Sequence, residues 1–180
     1  MFDSWQWLAG TYWYVPAVSL LAPLFSRNRK RPMWLSDQTV WQIMGYKNGY
    51  CWGYAAVRME PAAGGESAQP VAQVLTASVT PEGNVYMTFM PVNPSGGSPG
   101  NVGIGHMRWR DGAWTAQMQM SSTPSDDALL LHWANMVQCG PGDAAWQQLP
   151  GTSQSVPAFL ESAGLPVPKQ PPSPRPKKHS

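Results

Sequence analysis

The sequence predicts an all-β protein, an antiparallel up-and-down β-barrel of about eight to ten strands with a short C-terminal helix and a disordered Pro/Lys-rich tail. Three observations carry that expectation. Alternating β-favouring runs recur in pairs around tight-turn residues. The apolar inventory is large, 43% hydrophobic with ten Trp and ten Met, and only 12% of residues are charged. Beyond Gly140 the alternation stops and proline accumulates. A chain of 180 residues holds one sizeable core, so the barrel domain with its helix is assigned to residues 1–164 and the tail to residues 165–180.

An opening strand is expected around Thr11 to Val15. Thr39 to Tyr46 and Tyr50 to Met59 flank Lys47-Asn48-Gly49, where Asn and Gly tolerate the positive φ of a tight hairpin. Gln73 to Thr80 and Val85 to Met90 flank Pro81-Glu82-Gly83-Asn84, the composition of a four-residue turn. Ile104 to Arg110 and Ala113 to Ser121 flank Asp111-Gly112, a type I′ signal. Ala128 to Gln138 follows the polar loop Ser122 to Asp127 and pairs back onto the strand before it. Short hairpins between successive strands favour a barrel over a Greek-key sandwich, and closure removes edges that would invite aggregation. Glu60 to Pro70 and Pro91 to Gly103 read as long loops that either gate a pocket or are simply solvated. Ser155 is a helix cap, with Pro157 in the first turn and Gly164 past the end. The final stretch reads as polyproline-like.

Charge is unevenly placed. Arg27, Arg29, Lys30 and Arg31 form one cluster, and Lys169, Arg175, Lys177 and Lys178 form another. The rest of the chain sets four basic residues against ten acids, a net −6, so a broad nucleic-acid footprint is excluded. Cys51 and Cys139 belong to no CxxC pair, which removes the familiar zinc and thioredoxin-like patterns. The apolar stretch Tyr12 to Phe25 is broken by Pro16 and Pro23 and is too short to span a bilayer. No membrane span and a cytoplasmic location are expected. Gly96-Gly97-Ser98-Pro99-Gly100 has the letters of a nucleophile elbow without its strand and helix, and no dinucleotide, P-loop or HExxH motif is present.

The segment Trp7-Leu8-Ala9-Gly10-Thr11-Tyr12-Trp13-Tyr14 resembles the Gly-x-Trp opening of calycin barrels, the group that includes lipocalins and fatty-acid-binding proteins. Two residues separate Gly10 from Trp13, so the family's floor tryptophan corresponds to Trp13, to Trp7 or to neither. Gly112 to Met120 followed by Leu131-His132-Trp133 resembles the last strands of nitrobindin-like barrels. That second resemblance implies haem on His132, whereas the residues themselves require no cofactor and no metal.

Hairpin geometry places His106 opposite Gln117 and Arg108 opposite Thr115. If Ser121 opposes Ala128, His132 joins them, and His106, Gln117 and His132 form one polar row whose other face is rich in Trp and Met. The row either lines a lumen or is solvated around a solid core, and a one-residue slip would move His132 to the other face. Trp52 and Tyr54 in the first hairpin are candidates to stack on a planar ligand, or are ordinary packing.

Three readings follow. The first is binding of a small hydrophobic or aromatic molecule, with Trp52, Tyr54, His106, Arg108, Gln117 and His132 as ligand contacts. The second is a cofactor-free isomerase, lyase or cyclase in which His106 or His132 is the acid or base. The third is a solid barrel whose aromatic exterior meets a partner. Aromatic residues on both faces of the first hairpin favour a homo-oligomer in any of these.

Overall fold

A computed structural model describes residues 3–64, 68–93 and 100–167. Nine strands form one antiparallel sheet: β1 (Thr11–Tyr14), β2 (Leu21–Ser26), β3 (Met33–Lys47), β4 (Tyr50–Pro61), β5 (Val71–Val79), β6 (Asn84–Pro91), β7 (Asn101–Arg110), β8 (Ala113–Ser125) and β9 (Ala128–Cys139). From β3 to β9 each strand pairs with its successor in the chain. The ring closes through β1 and β2, which both lie between β3 and β9. Those two short strands share one place in the wall, so the barrel has eight staves and one of them is divided. The expected closed antiparallel barrel is what forms.

Turn chemistry sets the hairpins. Asn48 and Gly49 have φ of 52° and 88°, and Asp111 and Gly112 have 52° and 80°, the double positive φ that matches strand twist in a two-residue connection. Within the first hairpin the register shifts at Met44, so Trp52 faces Gly45 while Tyr54 still faces Gln42. The ring of Trp52 lies where a Cβ at residue 45 would sit, which makes glycine necessary beside that bulge.

The two ends of the barrel differ. The end with the Asn48-Gly49, Pro81–Gly83 and Asp111-Gly112 turns is closed by a 3₁₀ helix, Asp3–Leu8. Its Trp7 stacks at 5.0 Å on Trp114, which meets Trp5 edge-on at 5.4 Å and Trp109 at 5.7 Å. Trp5 also donates its indole N–H to the Thr80 carbonyl at 2.9 Å. Trp13 is buried above this cluster, 6.3 Å from Trp7. From the opposite end leave the β4–β5 and β6–β7 connections and the basic β2–β3 turn, in which Arg27, Arg29, Lys30 and Arg31 are all exposed.

Between the ends the lumen is packed. Trp41, Ile43, Leu75, Met87, Phe89, Met118 and Met136 are all buried in one cluster. On β7 the inward positions Gly103 and Gly105 leave room that Met120 and Met118 occupy.

A second cluster lies outside the wall. Helices α1 (Ala144–Gln147) and α2 (Val156–Ser162) bring Trp146, Leu149, Phe159, Leu160 and Leu165 against Tyr12, Val40, Tyr54 and Ala56. Ser155 caps α2 by accepting from the Ala158 N–H at 3.3 Å, and Gly164 follows with φ of 75°, as the sequence predicts. Of the outward aromatics of the first hairpin, Tyr54 is covered by these helices, whereas Tyr50 and Trp52 remain exposed. Leu165 is buried and the Pro166 carbonyl accepts from Gln42, so packing continues past the expected boundary at residue 164. The rest of the expected tail, residues 168–180, lies outside the described residues, as do residues 65–67 and 94–99 of the two long loops.

Sequence reasoning missed β2 because Pro16 before it and Pro23 within it read as breakers. Pro23 sits between Ala22 and Leu24 in a six-residue strand of the divided stave. A strand this short and at the end of the wall loses little by lacking one N–H.

If the outer cluster is part of the fold and not an appendage, Phe159→Ala should cost about 3–5 kcal/mol in urea unfolding. Loss of a separate early transition, with the main one unmoved, would place α2 outside the cooperative unit.

Candidate functional site

The inward face of β3 reads Leu35, Asp37, Thr39, Trp41, Ile43, with an acid in phase with apolar residues. Asp37 is buried, and so is His132 on β9. Their side chains meet across the divided stave: His132 Nδ1 lies 2.9 Å from Asp37 Oδ2. His132 Nε2 lies 2.5 Å from the carbonyl oxygen of Ser19. Asp37 Oδ1 accepts from the Thr39 hydroxyl at 2.9 Å.

Both nitrogens of His132 therefore face acceptors, which only an imidazolium satisfies, since a neutral ring has one N–H. Burial is the largest single influence on this ring and lowers its pKa. The hydrogen bond and charge of Asp37 together with the Ser19 carbonyl outweigh it, and the net shift is upward.

On the outer side of the same break Gln38 stands in for a strand. Its Oε1 accepts from the Val15 N–H at 3.1 Å, and its Nε2 donates to the carbonyls of Val15 at 3.0 Å and Pro150 at 2.8 Å. Beside it Arg58 donates to the Gly151 carbonyl at 2.7 Å and meets Glu60 at 3.6 Å.

Asp37 and His132 line a cavity of about 30 Å3 toward the end of the barrel with the longer connections. That volume admits about two water-sized bodies. Its floor is Trp41, Phe89, Met136 and Met120, and its polar collar is Thr39, Gln73, Asn101, Ser122 and the Asp37–His132 pair. Asn101 donates to Gln73 Oε1 at 3.4 Å. Two buried atoms in the collar, Asn101 Oδ1 and Ser122 Oγ, have no hydrogen-bond partner among the described residues. A second cavity of about 10 Å3 near the closed end is lined by apolar residues and Cys51. Burial pushes the Cys51 thiol up to about 12, and Cys139 is likewise buried.

The expected row of His106, Gln117 and His132 does not form. His106 does oppose Gln117. However, β8 runs on to Ser125, which opposes Ala128, and the register shifts between Ser122 and Ser125. The result pairs Gln117 with Asn135 and Met120 with His132. Three residues of offset, an odd number, put His132 on the opposite face from His106.

The other expected contacts lie on the exterior. His106 bonds Asn84 Oδ1 at 3.0 Å, Arg108 is exposed, and Gln117 is half-buried outside the wall. Trp52 is 46% exposed over Gly45, and Tyr54 packs toward the outer helices. His132 alone of the six reaches the cavity. Asp37, Gln73, Asn101 and Ser122 were missed, although each is polar in phase with an inward apolar alternation, a pattern that marks a buried polar group.

Haem does not fit His132. Both ring nitrogens are engaged, so no lone pair is free for iron, and a macrocycle far exceeds the cavity. Among the described residues no helix is long and apolar enough to cross a membrane. Comparison of the chain with known protein families, with curated proteins and with solved structures finds no match.

A raised His132 pKa stabilises the fold fully below the ordinary value of 6.5, and that contribution is lost as pH rises through the higher folded value. The stability difference between the native chain and His132→Gln should therefore shrink as pH rises above the ordinary histidine value of 6.5 in denaturant titrations. A difference that stays constant as pH rises would contradict the charged assignment.

Proposed function

We propose that this chain is a calycin-like barrel that binds a small molecule at its collared end. The apolar or aromatic body of the ligand lies over Trp41, Phe89, Met120 and Met136, and its polar end reaches Asn101 and Ser122. One observation carries this reading: two buried polar atoms, Asn101 Oδ1 and Ser122 Oγ, lack partners among the described residues beside the same cavity. Each such atom costs about 1–3 kcal/mol if left unpaired, and native proteins seldom retain them without a purpose.

The cavity is small, but three of its walls are methionines, Met59, Met120 and Met136. Their flexible thioethers repack around a guest more readily than branched side chains do. Catalysis by His132 is less favoured, because its two nitrogens are already committed to Asp37 and Ser19. Pairing with a second copy is supported by the apolar exterior left uncovered, where Trp133 is 70% exposed.

Binding at this site should shift the 13C-methyl resonances of Met59, Met120 and Met136 when small aromatic and aliphatic compounds are titrated in. The exposed Met44 and Met90, on the outer wall, should stay fixed. Movement of the outer methyls alone would place the ligand elsewhere, and silence of all of them would reject the reading.

A further inference from the structure

The proposed site also restricts the kind of polar end it accepts. Among its lining residues Asp37 and His132 are the only ionisable side chains, and they face each other at 2.9 Å. Their charges cancel, and their remaining polar atoms are taken: Asp37 Oδ1 by Thr39, His132 Nε2 by Ser19. A charged guest would lose its hydration here and gain no counter-ion, which is prohibitive in a low-dielectric interior.

What the collar leaves open is a pair of neutral groups. Asn101 gives one of its two amide N–H groups to Gln73 and presents Oδ1, an acceptor. Ser122, buried and without a partner for its Oγ among the described residues, presents a hydroxyl that both donates and accepts. A complementary head must donate one hydrogen bond and accept another. The four cations of the β2–β3 turn at this end are exposed, so they steer approaching anions without desolvating them.

Resting on the binding reading above, we infer that the ligand of this barrel carries an uncharged head with both a donor and an acceptor, an amide or an alcohol, and that carboxylates and ammonium ions of the same size are rejected. The neutral pair Asp37–His132 is the specificity element, and Ser122 and Asn101 are the contacts.

The test uses the full chain at about pH 6.5, where His132 is charged, and three probes of equal length: butanamide, butanoate and butylammonium. Dissociation constants are read from the Met120 methyl shift. Butanamide should bind at least about tenfold more tightly than either ion, and Ser122→Ala should weaken butanamide by about tenfold. Asp37→Asn removes the carboxylate that holds His132 protonated against its burial, so it creates no uncompensated cation, and butanamide should remain the preferred probe. If Asp37→Asn does not fold, the native panel and Ser122→Ala decide alone. Butanoate or butylammonium binding as well as butanamide would overturn this inference and leave the binding reading standing. No binding by any of the three would overturn both.

Discussion

Between Val15 and Leu20 the backbone leaves the barrel wall, and the two strands it should have bridged reach across the opening with side chains instead. On the outside Gln38 supplies an amide that pairs with both backbone groups of Val15. On the inside His132 joins Ser19 to Asp37. Three polar side chains thus complete a stave that backbone alone would complete in a continuous strand. Since each would be costly to bury unpaired, they hold one another in place at the point where β1 gives way to β2, while the backbone of those two strands closes the ring on either side. The same joint brings the charged pair into the lumen.

From that joint the interior divides into layers. Tryptophans from the N-terminal 3₁₀ helix, β1, β7 and β8 seal one end. Aliphatic, aromatic and methionine side chains fill the middle. Polar residues at the same height on β3, β5, β7, β8 and β9 form the collar. A solid barrel with polar ends would place such residues in water. Here Asp37, Gln73, Ser122 and His132 are buried, and the cavity lies where their partners run out. Inside the collar the charges of Asp37 and His132 face each other at 2.9 Å, whereas the cations of the nearby basic turn stand exposed.

The strands were legible because alternation and turn chemistry are local: Asn48-Gly49 and Asp111-Gly112 specify their hairpins with no help from distant residues. The helix from Ser155 was legible for the same reason. The site was not, because its geometry depends on register beyond a bulge. Reading Ser122 to Asp127 as a loop put Gln117 opposite His132, whereas three residues on β8 matched to two on β9 give Met120 that place. Asp37 was the overlooked clue, since an acid in phase with Leu35, Trp41 and Ile43 demands a buried partner, and only two histidines lie in the barrel. Nothing local to Trp52 or Tyr54 distinguishes lumen from exterior, so only the outer helices and the bulge at Met44 reveal that both face out.

Central to the account is the doubly bonded, positively charged His132 at the break in the wall. Its protonation state can be read directly from the 15N resonances of its ring. At about pH 6.5 both nitrogens should appear protonated, and both N–H protons should exchange slowly because Asp37 and Ser19 hold them. A neutral ring with one bare nitrogen at that pH would contradict the joint, and with it the charge balance on which the site depends.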